Sequence, residues 1–167
     1  HSILATVLDP KAAETAHING EGSIIEEPIG GAFDKKYKPL KLKWKVVSVS
    51  EKPFMLEKWG FMQTPGLSAV LKSGNLTIVV TSNPIMQVDR SIYLENNLNP
   101  KYFHSVIIKS PHCEPEFYDD WVEKNFNVDA PGSTSANLPS LGHKNCNRPM
   151  YPMEKNTIFI PELEFFS

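Results

Sequence analysis

An excess of either charge is missing from this chain: 17 Lys and Arg stand against 19 Asp and Glu, a formal net charge of −2 over 167 residues. So even a balance provides no field that would draw in a nucleic acid or an anionic membrane surface, and neither is an expected partner. Cysteine is scarce. Cys113 and Cys146 are the only two, too few for a disulfide scaffold, and reduced thiols in a cytoplasmic protein are the expectation. No apolar run approaches the ~20 residues of a membrane-spanning helix. No basic n-region precedes Ile3-Leu4, so no signal peptide is expected, and the first residue is His1 rather than Met. That start suggests a processed product or a piece of something longer. The signatures of self-contained enzymes are missing as well: there is no G-x-S-x-G, no H-E-x-x-H and no Gly-rich dinucleotide fingerprint.

Proline, in contrast, is plentiful at 14 residues, and it keeps elements short because each one lacks a backbone donor. The length is enough for one domain with a real core. Ile3 to Leu8 predicts a strand. Asp9 is a good N-cap with Pro10 at the first helical position, and the helix over Lys11 to Ile18 ends at Asn19-Gly20. His17 reads as a helix-end histidine near the C-terminal dipole rather than a ligand. Ser23 to Glu27 predicts a strand, then Pro28-Ile29-Gly30-Gly31 a tight turn where backbone can approach closely. Leu40 to Ser50 alternates, with Leu40, Leu42, Trp44 and Val46 on one side, as a half-exposed antiparallel strand does. Residues 52–65, with Phe54, Trp59 and Phe61, predict an irregular aromatic loop folded over the core. Leu67 to Leu71 and Leu76 to Val80 flank Lys72-Ser73-Gly74-Asn75 as a hairpin.

The second half alternates differently. Strand 76–80, a helix over Asp89 to Asn96, strand 105–109, a helix opening at Glu114-Pro115-Glu116 and strand 126–129 predict a βαβαβ unit with parallel strands. The fold class is therefore α/β: a mixed sheet with antiparallel hairpins in the first half and a parallel βαβαβ unit in the second. Residues 1–153 form the expected domain and 154–167 a tail strand or extension. Ligands in open α/β sheets bind beyond the carboxyl ends of the parallel strands. Three polar crests lie at such ends: Thr81-Ser82-Asn83, Lys109-Ser110-Pro111-His112 and Gly132-Ser133-Thr134-Ser135. They are expected to line one edge of the domain as the candidate site, with helix capping as the plain alternative for the serines and threonines.

Only one place crowds Lys, Ser, His and Cys into five residues, Lys109 to Cys113. His112 and Cys113 with His143 and Cys146 have the side chains that zinc takes, but adjacent ligands suit one tetrahedral ion poorly and the paired C-x-x-C is absent. No metal site is expected within this chain. A Cys–His nucleophile pair fails similarly, since sequence neighbours at a strand end point apart. His112 remains the best single candidate for acid–base work, beside a local structural role for it.

Taken together, several segments resemble the C-terminal domain of the microcystinase C (MlrC) family of zinc metallopeptidases. Asp9-Pro10-Lys11-Ala12 followed by Ala16-His17 and Gly20-Glu21-Gly22 is similar to that family's D-P-x-A and A-H-x-x-G-x-G. Pro28 to Gly31 resembles its L-G-G turn, and Val79 to Ser82 with Gln87-Val88-Asp89 its V-V-x-T-S and Q-x-x-D region. Lys109-Ser110, Asp129 to Ser135 and Arg148 to Met153 are similar to K-S, D-x-P-G-x-T-S and R-P-I-x-P-L. The family's K-S-x-x-H-F places its His at Cys113 without a gap, while a one-residue deletion aligns both His112 and Phe117. The resemblance implies a domain that completes a cleft and is inactive alone. The catalytic zinc would sit on an N-terminal domain of the same protein and activate water against a peptide or small amide. In that setting His112 would be catalytic, and Lys109, Ser110, Thr81, Ser82, Asn83, Gly132, Ser133 and Thr134 would face substrate. The other class open at this point is a non-catalytic domain that binds a small ligand or regulates. An apolar tail, Thr157 to Ile160 with Phe165-Phe166, leaves a homo-oligomer possible.

Overall fold

A computed structural model of the chain describes residues 1–33, 37–110, 114–130, 135, 137–158, 160–161 and 164–165. Two compact units are present, His1–Asn125 and Phe126–Ser167. The first contains a six-stranded sheet in the order β2-β3-β6-β7-β1-β8. Its strands are β1 (Ser2–Leu8), β2 (Ile24–Ile25), β3 (Trp44–Ser50), β6 (Ser68–Ser73), β7 (Leu76–Thr81) and β8 (Ser105–Ile108). A separate two-stranded hairpin, β4 (Phe54–Met55) with β5 (Met62–Gln63), lies inside the stretch expected to be irregular.

The mixed character expected from the sequence is present. β2, β3, β6 and β7 pair antiparallel, while β1 runs parallel to both β7 and β8. What alternation could not reveal is that β1 sits between the two strands of the expected βαβ unit. Ile3 and Ala5 are fully buried on one face, and Leu4 and Val7 pack partly buried against the other cluster, as suits a central strand covered on both faces. The β6–β7 hairpin turns through Gly74, whose φ of +57° only glycine adopts without strain. Its facing pairs Val70↔Val79 and Leu71↔Ile78 point to opposite faces of the sheet.

Each face has its own cover. On one, α1 (Pro10–Asn19) packs Ala12, Ala13 and Ala16 against Trp44, Val46, Leu71, Ile78 and Val80. Alanine at those three positions lets the helix lie close to the sheet, and each fully buried Val, Leu or Ile beneath stabilises by ~1.5–3 kcal/mol. On the other, Ile92 and Tyr93 of α2 (Ser91–Glu95) cover Ile3, Ala5, Val70 and Val79 together with Phe54, Leu56 and Val88. Burial pushes the Tyr93 phenol up from its ordinary value; its oxygen accepts from Gln87 Nε2 at 2.8 Å and donates to the Ile107 carbonyl at 3.2 Å.

Other differences from expectation have local causes. β3 starts at Trp44, so Leu40 and Leu42 stay 45% and 38% exposed instead of joining its buried row. The helix expected to open at Glu114-Pro115-Glu116 shortens to one 3-10 turn, Pro115–Phe117, followed by a hydrogen-bonded turn over 118–121. Aspartates at 119 and 120 are weak helix formers, and no long apolar stripe supports a short helix there. Phe126, Asn127 and Val128 pair with no described strand, and Phe126 and Val128 are 69% and 79% exposed. In the second unit the regular piece among described residues is a 3-10 turn at Leu138–Leu141, ended by Gly142 at φ +62°. No helix of the described residues is long and apolar enough to cross a membrane.

Candidate functional site

β1, β7 and β8 are parallel, so their carboxyl ends share one edge of the sheet. That edge begins with Asp9, Ser82-Asn83 and Lys109-Ser110. Asp9 is 3% exposed and ties three segments together. Its Oδ1 accepts from Ala12 N at 3.1 Å as the α1 cap, and its Oδ2 accepts from Gly30 N at 2.9 Å. Its own N–H donates to the Thr81 carbonyl at the end of β7, at 3.0 Å. The D-P segment and the Gly-Gly turn, 21 residues apart, are thus two halves of one junction. Gly31 belongs there too: a Cβ would stand 2.6 Å from the Tyr37 carbonyl oxygen, and φ is +71°.

Thr81 is fully buried, and its Oγ1 has no hydrogen-bond partner among the described residues. Ser82 Oγ accepts from Leu67 N at 2.8 Å, Ser82 N donates to Leu67 O at 2.8 Å, and the Asn83 amide donates to Thr64 O at 3.3 Å. These two side chains hold the 64–67 segment against the edge. Gly66, at φ +65°, is where it comes closest; a Cβ there would collide with Ser82 Oγ and lie 2.9 Å from Asn83 Nδ2. At the end of β8, Lys109 is exposed and Ser110 half-buried. His112, Cys113, Gly132, Ser133 and Thr134 lie outside the described residues. The flanks of the last crest are visible: Ser135 Oγ donates to Asp129 Oδ1 at 2.8 Å and accepts from Asn137 N at 3.0 Å.

The β4–β5 turn, together with the segments that follow β7 and β8, encloses a cleft of about 260 Å³ lined by Glu57, Lys58, Arg90, Phe117, Asp120 and Trp121. Asp89, 1% exposed, sets one wall by accepting from Lys58 N at 3.0 Å and Ser91 N at 2.9 Å. Ser91 Oγ accepts from Glu57 N at 3.0 Å. Both backbone positions that carry the wall's charges are therefore fixed. Arg90 forks onto Glu57 at 3.0 and 3.4 Å, and Lys58 Nζ lies 5.8 Å from the centre of the Phe117 ring. Sequence reasoning missed this cleft because its charges come from three separate segments, around residues 57–58, 90 and 120. The Q-x-x-D segment was its one legible trace, since that acid is the one anchoring the wall.

In the second unit Arg148 pairs with Glu154 and also donates to the His143 carbonyl at 3.0 Å. A hydrogen bond from Met150 N, followed by Arg148, lowers the Glu154 carboxyl below its ordinary value. A carboxylate with a depressed folded value contributes stability above its ordinary value and loses it as pH falls through the folded one. The 148–154 segment is therefore expected to loosen on acidification below about pH 4.5, the ordinary value. An NMR titration following the Met150 amide checks this; an amide shift that ignores pH from neutrality down to about 3 would contradict it.

His143 and Cys146 approach through a weak thiol contact, Sγ to the His143 carbonyl at 3.9 Å. Among the described residues no group of three His, Cys, Asp or Glu side chains could hold a metal ion.

Comparison with known proteins places the fold. The sequence matches the family described as MlrC C-terminus over residues 1–145. The chain belongs to the MlrC C-terminus family. A crystal structure from Mesorhizobium sp. BNC1, of a protein provisionally named a metallopeptidase, is similar at a TM-score of 0.79 and 24% identity. The similarity covers 92% of this chain and 31% of that longer one. At that identity the likeness carries the fold. No curated protein matches. The Asp9 junction, the Gly30-Gly31 turn and the Ser82 contact thus lie within the span that matches the MlrC C-terminus family.

Proposed function

We propose that this chain is the cleft-completing C-terminal part of a zinc-dependent peptide or amide hydrolase of the cytoplasm. The catalytic zinc and the water it activates would belong to an N-terminal domain of the same protein. The family match over residues 1–145 carries this reading. It is supported by the chain spanning 31% of its structural neighbour.

In this reading the carboxyl edge forms one wall of the substrate cleft. Lys109 and Ser110 face substrate from the end of β8, with His112 as the acid–base candidate and Gly132, Ser133 and Thr134 as further contacts. Thr81, Ser82 and Asn83 form the layer behind them, the last two by holding residues 64–67 in place. Lys109 suits the role because its ammonium has no partner among the described residues, so it can meet a substrate carbonyl or carboxylate. A homo-oligomer is compatible with the reading and not required by it.

Lys109→Ala in the full-length protein is expected to lower kcat/KM by about tenfold, the loss of one charge-assisted hydrogen bond, with the melting temperature unchanged. Unchanged turnover would favour a non-catalytic ligand-binding domain instead. Stoichiometric zinc binding and peptide cleavage by the 167-residue chain alone would overturn the proposal.

A further inference from the structure

The cleft of Glu57, Lys58, Arg90, Phe117, Asp120 and Trp121 has a charge pattern that restricts what it can hold. Two carboxylates and two cations line it, so the lining is neutral as a whole. A phosphate-rich anion or a polycation would meet as much repulsion as attraction there. The four charges are not equally committed. Glu57 and Arg90 neutralise each other through the fork, at 40% and 37% side-chain exposure, yet the fork leaves Arg90 Nη1 without a carboxylate partner among the described residues. The Lys58 ammonium rests over the Phe117 ring, and its hydrogen bond among the described residues is a long 3.4 Å to the Glu116 carbonyl. Asp120 is exposed and has no hydrogen-bond or ion-pair partner among the described residues. Free donors and a free carboxylate therefore share one small opening. Between them stand two ring systems, fixed by Trp121 Nε1 donating to the Phe117 carbonyl at 3.0 Å and by the edge contact of Phe117 with Trp59 at 6.2 Å. A volume of about 260 Å³ falls below the ~300–1,000 Å³ of pockets for drug-sized ligands. One residue fits, and a long peptide does not.

We propose that this cleft binds a free amino acid with an apolar side chain. Its ammonium would meet Asp120, its carboxylate Arg90 and Lys58, and its side chain the rings of Phe117 and Trp121. That such a ligand is released by hydrolysis of a peptide rests on the function proposed above; the binding itself does not. The test titrates the 167-residue chain with phenylalanine, N-acetylphenylalanine and phenylalaninamide while NMR follows the Trp121 indole and the Glu57 and Lys58 amides. Phenylalanine is expected to move these signals saturably. Each capped analogue loses one charge-assisted contact and is expected to bind about tenfold or more weakly. Asp120→Asn should abolish the preference over the acetylated analogue, and Arg90→Gln the preference over the amide. If the three compounds bind alike, bind elsewhere or leave these signals unmoved, the proposal is overturned. Turnover of the full-length protein enters none of these readouts. Failure here leaves the hydrolase reading standing, and loss of that reading leaves a binding site whose ligand has another source.

Discussion

Asp9→Ala is expected to destabilise the fold by about 2–4 kcal/mol: loss of the α1 cap costs ~1 kcal/mol, and a Gly30 N–H left without its acceptor costs ~1–3 more. The carboxylate is 3% exposed, so water cannot easily replace it. Asp9→Asn separates the two contributions. Its amide oxygen can still accept from Ala12 N, but its NH2 then faces the Gly30 N–H, so an intermediate loss is expected. Urea unfolding followed by circular dichroism measures both variants. An alanine variant within ~0.5 kcal/mol of the parent, the range of ordinary surface substitutions, would show that Asp9 is no junction. The consequence for function is positional. Asp9 connects the start of α1, the end of β7 and the Gly30-Gly31 turn, so its loss should also loosen the edge on which Ser82 and Asn83 sit.

Trp44→Ala is expected to cost more, about 3–5 kcal/mol, as large-to-small changes of core aromatics do. The indole is fully buried against the alanine face of α1, where three small side chains cannot close the void. Trp44→Phe should be far milder, under about 2 kcal/mol. It shrinks the ring, but it also removes Nε1, a buried donor with no partner among the described residues, whose burial is itself unfavourable. Thermal melting of the pair decides the matter. Equal losses for Ala and Phe would mean that Nε1 has a role its lack of a partner conceals.

Most of the local structure was legible because its causes are local. Asp9-Pro10 starts a helix and Asn19-Gly20 ends one through capping and the glycine's freedom at φ +76°. Gly74 marks the β6–β7 turn, and Ser105 to Ile108 is β-branched enough to predict its strand. Less legible were elements whose identity depends on a partner. Phe126 to Val128 has the composition of a strand, but a strand also needs a paired neighbour, and none among the described residues supplies one. Leu40 and Leu42 continue the alternation of β3 in sequence, yet they lie outside the strand and stay exposed.

The candidate site divides in the same way. That Thr81-Ser82-Asn83 and Lys109-Ser110 share an edge followed from the parallel reading of their strands, and β1 running parallel to both produces that edge. That Ser82 and Asn83 use their polar groups on residues 64–67 could not be foreseen, since the partner backbone groups, the Leu67 N–H and the Thr64 carbonyl, lie 15 to 19 residues away. By itself, the sequence determined the fold class, the family motifs and most element ends, because propensity, capping and turn chemistry act within a few residues. Only the tertiary structure decided that β1 separates β7 from β8, that Asp9 closes a three-way junction, and that Glu57, Arg90 and Asp120 meet at one cleft. Burial and long-range hydrogen bonding choose among arrangements that local preferences leave equal.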